Sequence, residues 1–364
     1  MVNQILKKEE RIAFGLRWLY EKYGYLSYKM SKFEEYDLYV QNKDFLVGDG
    51  VITFNDTNGK LLALKPDVTL SIIKNDMDAA GKRKVCYNEN VYRISAKTKQ
   101  FKEIMQVGLE CIGDIDMYDV FETVYLATSS LATVSQKFVL DISHLGILSA
   151  VLQDIALGES FNREVMKKIA EKNVHELSAL CEKYEVSPQK TEQLLTIVNA
   201  YGSMRVTLEK LAPICKEGAA ATAYAQLKTL CALLSATEYA DNIRIDFSVV
   251  NDMTYYDDIV FKGFIDGIGE GVLSGGRYDK LLHKMGRKSG GIGFAVYLDL
   301  LEGFGEEKQD FDVDVLVLYD EKTPTEAVVS TVCAMTQANK TVRAQKSEGK
   351  LRFKEKMDIR GKEG

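Results

Sequence analysis

Apolar residues near the N-terminus recur at the spacing of one helical face. Within residues 5–23, Ile12, Leu16 and Leu19 share that face, and Gly24 follows the last repeating position. Glycine commonly ends helices because it adopts left-handed backbone conformations without strain. The pattern therefore predicts a helix over 5–23 with one buried side.

Short apolar segments follow this helix and are separated by asparagine, glycine and aspartate. The segments are TFND, KLLALKP and KVCYNENVYRI, and they predict strands and turns of an antiparallel sheet. The most informative strand is EIMQVGLECI, residues 103–112. Gln106 and Glu110 share one face, where Gly108 leaves a gap between them, and apolar side chains occupy the other face. The polar face either meets solvent or forms the floor of a pocket for a small ligand, and the pattern leaves both interpretations open.

The middle of the chain changes between helix and strand patterns. A helix is predicted over about 116–136, and FVLDISHLGIL predicts a strand that runs into a helix. Residues 152–240 contain four or five helical segments with few strand signals, which predicts an all-helical insertion. Strands return at IRIDFSVV and MTYYDDIVFKGFI, and then EGVLSGGRYDKLLHKMG and KSGGIGFAVYLDLLEGF each predict a glycine turn leading into a helix. Antiparallel strands with a helical insertion indicate an α+β fold.

The C-terminal part has the pattern of one β-α-β unit followed by a charged tail, KLRFKEKMDIRGKEG. This stretch is marginal in length for a complete α/β domain. We therefore expect one domain over 1–310, which contains the insertion at about 152–240, and a partial α/β segment over 311–364.

Composition and charge narrow the class of protein. The chain is 46% hydrophobic and 27% charged, which is the balance of an ordinary globular protein. Its net charge of −6 disfavours nucleic-acid binding, because such proteins usually carry a basic face. The six cysteines form no C-x-x-C pair, so they are expected to be reduced core thiols in a cytoplasmic protein. The histidines are far apart, so no metal is expected, and no apolar run reaches the roughly 18 residues of a membrane span.

Motifs that mark common active sites are missing from the sequence. It contains no phosphate-binding G-x-x-x-x-G-K-S/T, no G-x-S-x-G nucleophile turn and no H-E-x-x-H zinc motif. GFIDGIGEG has glycines, but it lacks the spacing and the strand–turn–helix context of a dinucleotide-binding loop. The residues alone thus indicate an α+β protein with one candidate polar pocket.

Five segments of the chain resemble a known family. LSGGRYDKLLHKMG followed by GGIGFAVYLDLLE resembles the closing motif of histidyl-tRNA synthetases and their paralogs. MTYYDDIVFKGF resembles their histidine-specific segment, KPDVTL their ammonium-binding loop, and NVYRISAKTKQFKEIMQVGLECIG the second motif of class II synthetases. LDISHLGIL is also similar, and together the five segments cover about 5–305 in the family's order. The resemblance implies a class II synthetase-like antiparallel sheet with flanking helices.

The resemblance also implies a histidine pocket. Asp67, Thr69 and Gln106 match the positions that hold the ammonium group, and the family has glutamate at the position of Asp67. Glu110 and Tyr256 match those that bind the imidazole. The residues expected to line the pocket are Asp67, Thr69, Arg93, Gln106, Glu110, Tyr255 and Tyr256. The residues themselves leave two alternatives open, in which the tyrosines are ordinary strand aromatics and Glu110 is a surface carboxylate.

The adenylation chemistry of the family is not preserved. Asn251 stands where the synthetases have an arginine at the substrate carboxylate, and Leu300 stands where they have an arginine against the ATP phosphates. Ser95 replaces the acid of the second motif, and Ser31 replaces the proline of the first. Arginines that stabilise phosphate transfer contribute about 10³–10⁵ in rate. The resemblance therefore implies a protein that has lost this activity.

A kept histidine pocket with lost ATP chemistry is typical of the regulatory subunits of ATP phosphoribosyltransferase, which are paralogs of the synthetases. Such subunits pair with a short catalytic subunit in the first step of histidine biosynthesis, and they lack a full anticodon-binding domain. The resemblance implies a non-catalytic subunit that needs no cofactor and has histidine as its effector. We expect it to self-associate as a dimer and to form a hetero-oligomer with the catalytic subunit, specifically a hetero-octamer. A divergent histidyl-tRNA synthetase and a free-standing histidine sensor or tRNA-binding module are the alternatives.

Overall fold

The computed structural model describes residues 6–43, 46, 50–75, 81–94, 98–249, 255–302, 304 and 310–361. The chain divides into two compact units, Met1–Phe304 and Gly305–Gly364. Of the helices in the described ranges, none has both the length and the apolar composition needed to cross a membrane.

The N-terminal helix predicted from the apolar spacing is confirmed as α1, Lys8–Lys22. Ile12 and Leu16 are buried on its inner face, and Gly24 follows its end at φ +81°. The next elements are β1 (Leu26–Ser27), β2 (Phe33–Glu35), α2 (Asp37–Gln41), β3 (Thr53–Asn55), β4 (Leu61–Leu64), α3 (Val68–Asn75), β5 (Arg83–Ile94) and β6 (Phe101–Gly113). The predicted strands are present, but they belong to two sheets, because β2, β4 and β3 pair only with one another.

The helical insertion follows a strand–helix pair that the sequence also predicts. These elements are α4 (Met117–Val134), β7 (Phe138–His144), α5 (Leu145–Ile155), α6 (Glu159–Ala170), α7 (Val174–Lys183), α8 (Pro188–Val198), β8 (Tyr201–Ser203), α9 (Met204–Leu211) and α10 (Gly218–Leu234). The expectation of an all-helical insertion is wrong at β8, which pairs with the next strand of the main sheet. A strand of three residues is too short to produce a recognisable alternation.

The last elements of the first unit are β9 (Ile243–Asp246), β10 (Ile259–Ile265), β11 (Leu273–Arg277), α11 (Asp279–Lys284) and β12 (Gly290–Tyr297). The strand predicted over IRIDFSVV ends at Asp246 and continues as a 3₁₀ turn, Phe247–Val249. The two predicted glycine turns are wrong, since Gly275 and Gly276 lie inside β11 and the glycines of GGIGF lie inside β12. The helix expected after GGIGF is a single 3₁₀ turn, Leu298–Leu301.

The main sheet of the first unit has nine strands in the order β1-β5-β6-β12-β11-β10-β7-β9-β8. Most neighbours are antiparallel, as expected, but β1 with β5 and β7 with β9 are parallel. A parallel pair needs a long crossover connection, and the insertion provides one between β7 and β9. The sheet is therefore mixed: the expected antiparallel pairing holds for most neighbours but not for these two pairs.

Two apolar clusters cover the two faces of this sheet. On one face, α1 and α4 pack against the central strands, with Leu16, Leu109 and Phe294 fully buried. On the other face, a smaller cluster joins α3 to α11 through Leu70 and Leu281. The polar residues of the sheet are held on this second face.

The second unit contains β13 (Val313–Leu318), α12 (Thr325–Gln337), β14 (Val342–Gln345) and β15 (Phe353–Asp358). The β-α-β pattern predicted here is present, and β13 lies between β14 and β15 in a parallel sheet. The strand β15 was not predicted, because four of its six residues are charged. The domain boundary at 310 remains a prediction.

Candidate ligand-binding site

A cavity of about 250 Å³ lies on the polar face of the main sheet, above β6, β12, β11 and β10. Its walls also include the loop before α3 and the paired tyrosines before β10. All seven residues matched to the family's histidine pocket line this cavity, namely Asp67, Thr69, Arg93, Gln106, Glu110, Tyr255 and Tyr256. Segments far apart in sequence are thus gathered around one space.

The polar face of β6 is buried. Gln106 is 3% exposed and Glu110 is 2% exposed, so the solvent-facing interpretation of this strand is wrong. The interpretation of Glu110 as a surface carboxylate is wrong for the same reason. Buried polar groups are retained where they have partners, and these two side chains face the cavity.

Glycines create the room above the strands. A Cβ at Gly293 would lie 1.9 Å from Glu110 Oε2. A Cβ at Gly108 would lie 2.2 Å from the carbonyl oxygen of Phe294. Such close approaches leave no space for a side chain. The same crowding explains why Gly276 occupies a strand, since its Cβ would lie 2.7 Å from the Tyr256 ring.

Glu110 is the central acid of the cavity. Thr69 Oγ1 donates a hydrogen bond to Glu110 Oε1 at 2.8 Å, and Tyr278 Oη donates to Oε2 at 2.5 Å. Burial raises the pKa of Glu110 to about 8, against the lowering effect of these two hydrogen bonds. The carboxyl group therefore holds its proton at neutral pH. Tyr278 was not predicted to belong to the pocket, although it lies in the GGRYD segment that resembles the family's closing motif.

Asp67 has a structural partner as well as a place in the cavity wall. Its Oδ1 accepts the backbone N–H of Leu70 at 2.9 Å and so caps the first turn of α3. Arg93 holds the same loop, because its Nε donates to the Pro66 carbonyl at 2.8 Å and its guanidinium lies 4.0 Å from Asp67 Oδ2. Lys65, which is fully buried, pairs with Glu89 at 2.9 Å. The loop is therefore fixed from both sides.

The tyrosines form one wall of the cavity. The ring centroids of Tyr255 and Tyr256 are 4.8 Å apart in an edge-to-face arrangement, and Tyr255 is 6.1 Å from Tyr278. Edge-to-face packing of this kind stabilises an aromatic cluster. Burial raises the pKa of Tyr255 above its usual range, so its hydroxyl remains a hydrogen-bond donor at neutral pH.

Arg277 and Asp279 belong to a polar network beside the cavity. Arg277 lies 2.8 Å from Asp279 Oδ2 and 3.7 Å from Asp258 Oδ2. His144 Nε2 lies 2.8 Å from Asp258 Oδ1 and 2.9 Å from Gln226 Oε1 of α10. The network connects β7 and β11 to α10 of the helical insertion, and its carboxylates neutralise Arg277. Arg277 therefore has a structural role here.

The positions that depart from the synthetases are only partly described. Leu300 packs against the main apolar cluster, where it supplies no charge to the cavity. Asn251 and Ser95 lie outside the described residues. Ser31 Oγ accepts the backbone N–H of Phe33 at 3.3 Å.

The cysteines and the acidic residues offer no metal site in the described ranges. All six cysteines are free thiols, and five are buried as expected. The expectation of a core position is wrong for Cys333, which is exposed. It lies on α12, a helix that buries none of its residues.

Comparisons with known proteins give a consistent result. The family model for histidyl-tRNA synthetase matches residues 2–301. An ATP phosphoribosyltransferase regulatory subunit from Alkaliphilus metalliredigens is 29% identical over 286 residues, which cover 76% of this chain and 72% of that protein.

Two solved structures share the fold. An ATP phosphoribosyltransferase regulatory subunit/histidyl-tRNA synthetase from Bacillus halodurans superimposes with a TM-score of 0.81 at 23% identity, covering 97% of this chain and 94% of that one. A chain of the ATP phosphoribosyltransferase complex from Thermotoga maritima superimposes with a TM-score of 0.64 at 17% identity, covering 80% and 97%. At these identities the likeness concerns the fold.

Proposed function

The chain belongs to the histidyl-tRNA synthetase family, and from that premise we propose that it acts as the regulatory subunit of ATP phosphoribosyltransferase in histidine biosynthesis. It is a non-catalytic subunit, and the catalytic site is on a separate chain. The observation that carries this function is the combination of an acid-lined cavity on the main sheet with Leu300 packed against the apolar core, where the synthetases have a phosphate-binding arginine.

Histidine is the ligand that suits the cavity. Asp67 and Gln106 provide acceptors for an ammonium group, and Glu110 faces the same space. Because Glu110 holds its proton at neutral pH, its carboxyl group donates a hydrogen bond to a neutral imidazole nitrogen. If the proton moves to the imidazole, the carboxylate instead accepts a hydrogen bond from the imidazolium N–H. In either state a single proton is shared between carboxyl and imidazole. Leucine has no nitrogen at this place and would leave the proton of the buried carboxyl without an acceptor.

The partner in this proposal is a short catalytic ATP phosphoribosyltransferase subunit. The likeness to a chain of the Thermotoga maritima complex supports a hetero-oligomer. We infer that this chain also self-associates as a dimer and that the assembly is a hetero-octamer. Histidine inhibits the complex only if it binds two states of it unequally, with a coupling of about 1–3 kcal/mol.

Co-expression with a short catalytic subunit tests this function. The two chains should elute together, and the rate of phosphoribosyl-ATP formation should rise when this chain is added and fall when histidine is added. Leucine at the same concentration is the control and should leave the rate unchanged. Separate elution at micromolar concentration, with a catalytic subunit equally active alone, would contradict the proposal and favour a free-standing histidine sensor.

A further inference from the structure

Lys262 lies on the cavity wall contributed by β10, away from Asp67 and Glu110. It pairs in register with Ser274 of β11, so the two side chains stand beside each other on the same face of the sheet. Ser274 also lines the cavity. This wall therefore presents an ammonium and a hydroxyl, whereas the wall formed by the loop and β6 presents two carboxyl groups.

Lys262 forms no ion pair among the described residues, although Asp141 of β7 stands opposite it in register on the same face of the sheet. Its contact is with the ring of Phe264, whose centroid lies 5.7 Å from Lys262 Nζ. That distance is near the outer limit of a cation–π interaction, and the contact gives the ammonium no oxygen acceptor. Arg93, the other cation in the lining, is already held by the Pro66 carbonyl and Asp67.

A missing side chain gives Lys262 its position. A Cβ at Gly271 would lie 2.3 Å from Lys262 Cε and 2.9 Å from its Cγ. The aliphatic stem thus lies against the backbone of Gly271, which also lines the cavity. The flexible stem allows the ammonium to turn toward a bound anion.

We propose that Lys262 binds the carboxylate of the amino acid in this cavity, which rests on the proposed function of the cavity as a histidine site. An amino acid presents a cation and an anion, and a buried carboxylate requires a compensating charge. Residue 251 is an uncharged asparagine. Lys262 therefore supplies the positive charge, and Ser274 supplies a second donor.

The test compares histidine with histamine, which has the same imidazole and amine but no carboxylate. Isothermal titration of the full-length chain should show that Lys262→Gln weakens histidine binding by about tenfold or more, the size of a lost charge-assisted hydrogen bond. Histamine should bind the variant and the unaltered chain equally. Lys262→Arg should retain most of the histidine affinity.

Two further variants test the role of Lys262 separately from the existence of the histidine pocket. Glu110→Gln should weaken both ligands, because it alters the imidazole end. Gly271→Ala displaces the Lys262 stem and should weaken histidine alone. An unchanged histidine affinity in Lys262→Gln, or an equal loss for both ligands, would overturn the role of Lys262 and leave the pocket standing. Failure of both ligands to bind the unaltered chain would overturn the pocket and the inference with it.

Discussion

The protonation of Glu110 affects the stability of the protein. The ordinary pKa of a glutamate is 4.5, whereas burial raises that of Glu110 to about 8. The folded protein thus binds one more proton than the unfolded chain between these values. The stability that this proton contributes is complete below pH 4.5 and is lost as the pH rises through 8, with a slope of at most about 1.4 kcal/mol per pH unit.

In the absence of histidine, the free energy of unfolding of Glu110→Gln should therefore rise relative to that of the unaltered chain as the pH rises from 5 to 8. The glutamine stays neutral, so it carries no cost of burying a charge. The free energy of unfolding in urea, measured at each pH unit for both proteins, gives the difference. Glu182→Gln, at an exposed position of α7, is the control and should show no trend. A constant difference for Glu110→Gln would mean that Glu110 is already ionised at pH 5.

Gly293 is the residue that most directly keeps the cavity open. Gly293→Ala would push a methyl group against Glu110 Oε2 and the Leu109 carbonyl oxygen, which would lie 1.9 and 2.4 Å away. We expect a loss of stability of about 1–3 kcal/mol and loss of the rise in melting temperature caused by histidine. Gly269→Ala is the matched control, since nothing lies within 4 Å of its Cβ. A normal histidine response in Gly293→Ala would show that the ligand lies elsewhere.

The sequence identified the side chains of this site but not how they are paired. Alternation along β6 put Gln106 and Glu110 on one face, and the resemblance added Asp67 and Thr69. The hydrogen bond from Tyr278 to Glu110 joins residues 168 positions apart, so no local pattern reports it. Lys262 was overlooked because its place on the cavity wall depends on the pairing of β10 with β11, which only the folded chain displays.

His144 joins the main sheet to the helical insertion. Its Nδ1 accepts the backbone N–H of Gly146 at 3.1 Å and so caps α5, which leaves the proton on Nε2, facing Asp258 and Gln226. One ring therefore performs two tasks, capping a helix and linking two regions of the first unit.

Substitutions at this position should separate the two tasks. His144→Ala loses the cap and both links, whereas His144→Asn keeps an oxygen acceptor for the cap. We expect asparagine to recover about 1 kcal/mol of the loss in unfolding free energy, the usual contribution of an N-cap. Gln226→Ala, which removes only the link to α10, is the comparison. Equal stability of the alanine and asparagine variants would contradict a capping role.

Regular helices were the elements best predicted from the sequence, because their apolar spacing is local. The glycine-rich segments were predicted worst. Glycine usually marks turns, but the glycines of β11 and β12 lie in extended strands, where each avoids a clash with a neighbouring strand, with Tyr278 or with Asp279. Close approach between strands is a property of the whole sheet, so a local pattern cannot distinguish it from a turn.

The first unit as a whole retains the architecture of its family without the charges that adenylation needs. We expect histidine-dependent exchange of pyrophosphate into ATP to stay at background for the isolated chain, since Leu300 and Asn251 replace two arginines and each such arginine contributes about 10³–10⁵ in rate. Histidine binding measured on the same sample is the control for folding. Robust exchange would identify the chain as a divergent synthetase.

The order of strands in the main sheet has a consequence for the folding rate. Glu110 of β6 lies opposite Gly293 of β12, so the cavity closes only after a loop containing the whole insertion has been closed. Such distant pairings form late and slowly, because the entropy of loop closure is lost before the contacts form. Histidine then has no binding site in the folding transition state. Its stabilisation should appear almost entirely as slower unfolding, with the refolding rate unchanged, so that a chain supplied with histidine remains folded longer although it folds no sooner.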